Sequence, residues 1–289
     1  MLIDNFINLY KEKSANHKQS IDSIDIDLEY NLRMGEFIYR YSYIEELIRA
    51  FFENLYPECK NDSRIVKHES TKNLLKYSIR RCGIDVTDIF YGFTELNNRR
   101  RTFSHGCWGV DPRGGYVLSK ILNSKQKDPY HFSSMEDLDN LNEQCRKWVI
   151  KFKAITNIGN LLENDGKNFY EYLAWVGRFI FQFSQLEFTI KVCVAEMYKI
   201  TDDYFSLCDE SFTLHLLELL SIELGGETFK KMKKDFRKLN AIKNDLFHNG
   251  FKLPINPQSL ERKFSEAKKL TQEFFRIMMW VINNPQVKH

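Results

Sequence analysis

The chain has 289 residues, of which 43% are hydrophobic and 28% charged, and its formal net charge is +3. This length and apolar content are enough for two domains with real cores. The small net charge excludes a strongly polycationic nucleic-acid binder, so any basic surface must be local. No apolar stretch in the sequence is long enough to span a bilayer, and no early apolar run resembles a signal peptide. The six cysteines are scattered without a C-x-x-C pair, which predicts a reduced cytoplasmic protein without a zinc site, disulfide framework or cofactor.

The first half of the chain predicts a helical domain at residues 25–157, preceded by a separate segment. Residues 1–24 are typical of an amphipathic helix with a polar tail. Within 35–56, apolar residues recur at spacings of three and four, which indicates one buried stripe along a helix. Residues 107–118 predict a small exposed β-hairpin around a Pro/Gly turn. The pattern from Ser134 to Asp137 predicts a capped start for the last helix of this domain.

The second half of the chain repeats the first. Residues 29–56 align with 171–198 without a gap at an offset of 142, and nine of those 28 positions are identical. The offset becomes 143 at Phe93, which matches Phe236. A Gly- and Asn-rich joint around 156–168 separates the two copies, and the second domain is predicted at 166–289. We therefore predict an all-α protein with two tandem four-helix bundles related by pseudo-two-fold symmetry.

Each copy contains one histidine at the equivalent position. His105 in the first copy matches His248 in the second at the offset of 143, and Gly106 and Gly250 follow closely. Glycine at this place is typical of a helix C-terminus. The partial negative charge of a helix C-terminus favours a protonated imidazole. The duplication predicts that the two histidines face each other across one groove.

The helical period also predicts the neighbours of each histidine. Residues four apart lie on one helix face. Arg100 lies about 140° round from His105, but its long side chain could fold over the helix end to the same pocket. The sequence does not fix which of the three consecutive arginines points inward. The same-face rows are Asn97, Arg101 and His105 in the first copy, and Asn240, Asn244 and His248 in the second; the arginines are Arg99, Arg100 and Arg101.

These segments resemble the Arg-x4-6-His motif of ribonucleases in the HEPN superfamily. Arg100 and His105 have this spacing, with Arg101 where the family usually has asparagine. Lys243 and His248 are similar, with the asparagine kept and lysine in place of arginine. The resemblance covers both copies, from about residue 25 onward.

The resemblance implies an endoribonuclease that cuts RNA without metal in a composite cleft between two HEPN units. In that reaction the 2′-hydroxyl attacks the adjacent phosphorus and leaves a 2′,3′-cyclic phosphate and a 5′-hydroxyl. Histidine can transfer the protons, and arginine can hold the phosphate. The implied partners are RNA and, in a toxin or phage-defence context, a regulatory or antitoxin protein. The implied catalytic residues are Arg100, His105, Lys243 and His248, supported by Arg101, Asn244, Asn97 and Asn240, with Arg99, Arg100 and Arg101 contacting RNA.

Two points remain open in the sequence. Glu45 and Glu187 are equivalent, and each either orients an Arg or His in the cleft or is an exposed glutamate. Lys243 keeps the positive charge but loses the fork of arginine, so the second half-site either catalyses or only binds. The alternatives to a nuclease are a catalytically inactive RNA- or nucleotide-binding module and a protein-interaction module. We expect the two copies to form a pseudo-dimer within one chain, and a homodimer of that chain is left open.

Overall fold

The structure is a computed structural model that describes most of both copies. The segment 1–24 lies outside the described residues, as does most of the predicted joint, with helices ending at Thr156 and beginning at Lys167 on its two sides. The side chain of His105 also lies outside the described part. The described residues are 28–59, 70–82, 87–105, 107–110, 116–119, 130–132, 134–156, 167–198 and 212–284.

Eight α-helices dominate the described residues, which confirms the all-α class. Single-turn 3-10 helices follow the first helix at Pro57–Cys59 and the seventh at Gly250–Lys252. None of the described helices combines the length and apolar character needed to cross a bilayer. The helices of the first copy are α1 (Leu28–Leu55), α2 (Thr71–Cys82), α3 (Thr87–His105) and α4 (Met135–Thr156), and those of the second are α5 (Lys167–Tyr198), α6 (Phe212–Leu224), α7 (Gly226–Asn249) and α8 (Pro257–Asn283).

Three short strands lie between α3 and α4. They are β1 (Cys107–Val110), β2 (Tyr116–Ser119) and β3 (Tyr130–Phe132), and they form one antiparallel sheet in that order. Cys107 pairs with Ser119 and Val110 with Tyr116. The residues that join β1 to β2 lie outside the described part, so the hairpin at 107–118 stays a prediction.

Local side-chain contacts fix where several helices begin. At the start of α4, the Ser134 backbone N–H donates to Asp137 Oδ2 at 2.9 Å, and the Asp137 N–H donates to Ser134 Oγ at 3.1 Å. This reciprocal pair confirms the predicted capped start. At the start of α8, Asn256 accepts a hydrogen bond from the Ser259 N–H at 3.0 Å, with Pro257 as the first helical residue.

The two long helices α1 and α5 form the centre of the molecule. α1 packs against α4, and α5 packs against α8 in the same way. α1 and α5 also pack directly against each other, and nearly all their apolar side chains are buried. The core is therefore continuous across the two copies.

Two glycines allow the backbones of α1 and α5 to touch. A Cβ atom on Gly35 would lie 1.8 Å from the Leu173 carbonyl oxygen, and one on Gly177 would lie 2.0 Å from the Asn31 oxygen. Gly177 and Leu173 are the equivalents of Gly35 and Asn31 at the offset of 142, so the two contacts are reciprocal. Only glycine fits at either position.

The contacts between the copies are reciprocal at the helix level as well. α1 contacts α7 of the second copy, and α5 contacts α3 of the first. The 3-10 turn Gly250–Lys252 packs on α1, and β1, at the equivalent place in the first copy, packs on α5. The C-terminal end of α7 is thereby held against α1.

Candidate functional site

A buried glutamate of the first copy holds the histidine of the second. Glu45 Oε2 on α1 lies 2.8 Å from His248 Nδ1 in the last turn of α7. The Glu45 side chain is only 4% exposed, whereas that of His248 is 41% exposed. Because a carboxylate only accepts hydrogen bonds, Nδ1 donates and the other ring nitrogen, Nε2, is left for a ligand.

A chain of hydrogen bonds extends from this glutamate to an arginine. The Tyr41 hydroxyl lies 3.2 Å from Glu45 Oε1 and 2.9 Å from Asn97 Oδ1, and Arg100 Nη2 donates to the same Asn97 oxygen at 3.0 Å. Burial, and then the charge of Glu45, raise the pKa of Tyr41 well above its usual value, so the phenol remains a hydrogen-bond donor. Arg100 and His248 therefore belong to one polar network that crosses between the copies.

Arg100 lies at the boundary of the two copies. Its guanidinium carbon is 5.6 Å from the centre of the Tyr41 ring and 5.8 Å from that of Phe247, the residue before His248. Arg100 Nε is buried and has no hydrogen-bond partner within the part of the chain that the structure describes. Arg100 is thus linked to the histidine through Asn97, Tyr41 and Phe247, while Arg101 is exposed and Arg99 half-buried.

Arg49 is a residue of this site that the sequence reasoning missed. Its Nη2 lies 3.8 Å from Glu45 Oε2, and its Nη1 donates to the His248 backbone oxygen at 3.5 Å. The guanidinium thus contacts both the carboxylate and the last turn of α7. The repeat contained a signal for it, because Lys191 is the basic equivalent of Arg49 at the offset of 142.

The second copy builds the equivalent position differently. Lys243 Nζ lies 3.4 Å from each carboxylate oxygen of Glu187, and both side chains are buried, at 2% and 5% exposed. The ammonium also lies 4.8 Å from the centre of the Phe183 ring, which replaces Tyr41. Lys243 is therefore enclosed beside Glu187, and its part in a cleft between the copies stays a prediction.

The remaining predicted residues are spread around this network. Asn240 is half-buried, and Asn244 is exposed on α7. α3 ends at His105, and the position of its imidazole lies outside the described residues. The structure thus brings Arg100, Asn97, Glu45 and His248 together, and it pairs Lys243 with Glu187 separately.

Gly250 has a different role from the one its position suggests. Its φ of −53° is ordinary right-handed helix, so no left-handed cap requires glycine there. A Cβ atom on Gly250 would lie 3.2 Å from Ser42 Oγ on α1, which is a tight contact. Ser42 in turn donates to the Tyr39 carbonyl oxygen at 2.7 Å. Gly250 therefore lets the end of α7 approach α1 closely, which supports the contact between Glu45 and His248.

Comparison with known proteins adds no assignment. A scan with protein-family models, a search of curated proteins and a search of solved structures each give no match. Within the described residues, no three His, Cys, Asp or Glu side chains are grouped so that they could hold a metal ion.

Proposed function

We propose that the chain is a metal-independent endoribonuclease of the HEPN type. Its two HEPN-like units are residues 25–157 and 166–289, related by a pseudo-two-fold axis between α1 and α5. The reciprocal contacts at Gly35 and Gly177 support that axis. The observation that carries the proposal is the 2.8 Å contact between Glu45 of one unit and the half-exposed His248 of the other.

In the proposed reaction, His248 is the general base. With Nδ1–H donated to Glu45, Nε2 has a free lone pair and takes the proton from an RNA 2′-hydroxyl. The 2′-oxygen attacks the adjacent phosphorus, and the bond from phosphorus to the 5′-oxygen breaks. His105 donates the proton that the leaving 5′-oxygen needs. The products are a 2′,3′-cyclic phosphate and a 5′-hydroxyl, and the Glu45 carboxylate stabilises the imidazolium formed on the way.

Arg100 is the proposed phosphate ligand. A guanidinium has five N–H donors, and Asn97 accepts a hydrogen bond from only one of its nitrogens. Because Nε is buried, the remaining Nη donors are the ones that suit the non-bridging phosphate oxygens, whose negative charge grows in the transition state. Arg101 and Arg99 would add outer contacts to RNA, with Asn244 and Asn240 in support on α7.

Lys243 has a structural role in this proposal. Its ammonium is enclosed beside Glu187 and the Phe183 ring, so it balances a buried carboxylate and does not touch RNA. A buried ion pair of this kind fixes the orientation of the carboxylate. The Lys-for-Arg difference between the copies then means that only the first unit supplies a guanidinium to the phosphate.

The enclosure of Lys243 also favours a second candidate function. If both units must supply a cation for cutting, the cleft of this chain would bind RNA or a nucleotide without cleaving it. Either activity, RNA cleavage or RNA binding, is compatible with a toxin or phage-defence context. Either is also compatible with a regulatory or antitoxin protein as partner. Cleavage and binding therefore have to be measured separately.

The test is an RNA cleavage assay in EDTA with the full chain. We expect the parent to cut and to leave 5′-hydroxyl ends, which can be labelled directly by a polynucleotide kinase. His248→Ala should lower the rate at least about 100-fold, since positioned acid–base groups typically contribute this much. His215→Ala, which removes an exposed histidine of α6 outside the site, should cut like the parent. Binding without cutting by the parent would support the second candidate, and neither binding nor cutting would support a protein-interaction module.

A further inference from the structure

One exposed line of α7 carries three basic residues in its N-terminal part and ends at His248. Its members are spaced 4, 3, 4, 3 and 4 residues apart, so all lie within about 40° of His248 around the helix axis. From the first member to His248 the line is about 27 Å long, at 1.5 Å per residue. No acidic residue occupies it. The line, called the α7 stripe below, consists of Lys230, Lys234, Arg237, Ala241, Asn244 and His248.

The cations of the α7 stripe are available for a ligand. The side chains of Lys230 and Arg237 are 69% and 57% exposed, and each makes one exposed ion pair, with Glu227 and Glu218. Such surface pairs contribute little and exchange readily for another anion. Lys234 is exposed and has no ion pair with any residue that the structure describes.

The C-terminal end of the α7 stripe lies at the candidate site. It ends at His248, and the Arg100 guanidinium packs on the ring of the preceding Phe247. The last two positions before His248 are small or neutral, Ala241 and Asn244, so a ligand can approach the helix closely there. A row of three cations, followed by two neutral positions and then by a half-exposed histidine and a guanidinium, fits a chain of phosphates whose last member reacts.

We propose that the α7 stripe is the track along which a single RNA strand reaches the candidate site. Lys230, Lys234 and Arg237 contact successive phosphates, and the strand continues to Arg100 and His248. The line is one helix wide, whereas proteins that bind an RNA duplex by shape contact two successive minor grooves over about 16 base pairs. The stripe contains no large apolar side chain, which a membrane-surface helix would need. The proposal extends the proposed function to its substrate but is tested by binding alone.

The test compares two double variants with equal charge loss. Lys234→Gln/Arg237→Gln removes two cations from the α7 stripe and one ion pair, with Glu218. Lys231→Gln/Lys238→Gln removes two exposed cations about 100° and 80° away from His248 and also one ion pair, with Asp235. Both are made in His248→Ala protein so that RNA stays intact. Fluorescence anisotropy then measures the affinity for a labelled single-stranded RNA oligonucleotide at several salt concentrations.

We expect the stripe variant to bind at least about 10-fold more weakly, and its salt dependence to be less steep by about 1.4, or 0.7 for each lost phosphate contact. The off-stripe variant should bind within about threefold of its parent, because general charge attraction is similar for both. Equal losses in the two variants, or tighter binding of an RNA duplex, would overturn the track. A lack of RNA binding by the parent would also overturn the track. So would a stripe variant that loses affinity for anionic vesicles but keeps its affinity for RNA. Binding with the expected difference but no cleavage by the wild-type chain would refute the proposed nuclease and leave the track intact.

Discussion

The pair of Lys243 and Glu187 makes a sharp prediction about stability. Lys243→Met removes the ammonium but keeps a side chain of similar length for the surrounding core. The carboxylate of Glu187, in a side chain only 5% exposed, then loses its neighbour at 3.4 Å. We expect the free energy of unfolding to fall by about 3–5 kcal/mol, the usual cost of breaking a buried ion pair by removing one partner.

The geometry supports this magnitude. Two unit charges 3.4 Å apart attract by about 5 kcal/mol at an effective dielectric constant of 20, which suits buried pairs in proteins. A single domain is typically stable by only about 5–15 kcal/mol, so this loss would be a large part of the total. Glu187→Gln should cost a similar amount, because it removes the carboxylate charge that lies 3.4 Å from the buried ammonium.

The assay is urea unfolding followed by circular dichroism at the helix band, with the midpoint and slope fitted for each variant. The informative protein is the double variant Lys243→Met/Glu187→Gln. Since replacing both members of a buried pair is often nearly neutral, the double variant should be more stable than either single variant. Lys231→Met, an exposed lysine on the same helix, is the control and should change stability by less than about 0.5 kcal/mol.

A double variant whose loss equals the sum of the two single losses would refute the idea that the two charges compensate each other. A loss below about 1 kcal/mol for Lys243→Met alone would show that the lysine is not enclosed in solution. The second result would support a place for Lys243 in the proposed cleft between the two units.

Three further predictions follow from the same structure. Gly35→Ala places a methyl group 1.8 Å from the Leu173 oxygen and should cost about 1–3 kcal/mol or more, as should Gly177→Ala; an unchanged melting temperature for either would contradict the helix crossing. Tyr41→Phe should lower the free energy of unfolding by about 0.5–1.5 kcal/mol and slow RNA cleavage. Asn97→Ala should cost less in the Tyr41→Phe background than in the parent, because both residues belong to one hydrogen-bond network. Fully additive losses in the unfolding and cleavage assays would argue against this network. Burial raises the pKa of the Cys145 and Cys193 thiols to about 12, so the folded protein keeps them protonated while the thiols of the unfolded chain ionise near pH 9. The free energy of unfolding should therefore fall as the pH rises from 9 towards 12. Peptide mass spectrometry should find both cysteines protected from alkylation in the native protein, unlike the half-buried Cys59.

The sequence predicted the helices of both copies well because their signals are local. The apolar spacing along 35–56 needs only the period of a helix, and the capped start at Ser134 needs only residues three apart. The repeat offset also marked Glu45 and Glu187 as equivalent positions before any geometry was known. Both side chains are buried, which favours the orienting role over an exposed position.

The contacts that join the copies could not be predicted in the same way. Glu45 and His248 are 203 residues apart, and nothing in either segment encodes which side chain of the other copy it meets. The apolar spacing along 35–56 predicts the burial of the Tyr41 ring but gives no sign of the partners of its hydroxyl. The motif places Lys243 by spacing alone and does not predict its burial, which it shares with its helical neighbours Leu239 and Leu246.

The close approach of α1 and α5 at two matched glycines has a consequence for how the protein can change over evolution. In a symmetric homodimer every substitution appears on both sides of the axis at once, so neither side can specialise alone. In the proposed tandem arrangement, one polypeptide supplies both sides. Phe183 occupies the position equivalent to Tyr41. A buried lysine pairs with the carboxylate of one copy, while an arginine of the other copy remains near the surface. Within one chain, the two copies can thus differ at equivalent positions, with a buried ion pair in one copy and a more exposed arginine in the other. A symmetric homodimer would need two kinds of subunit for the same difference.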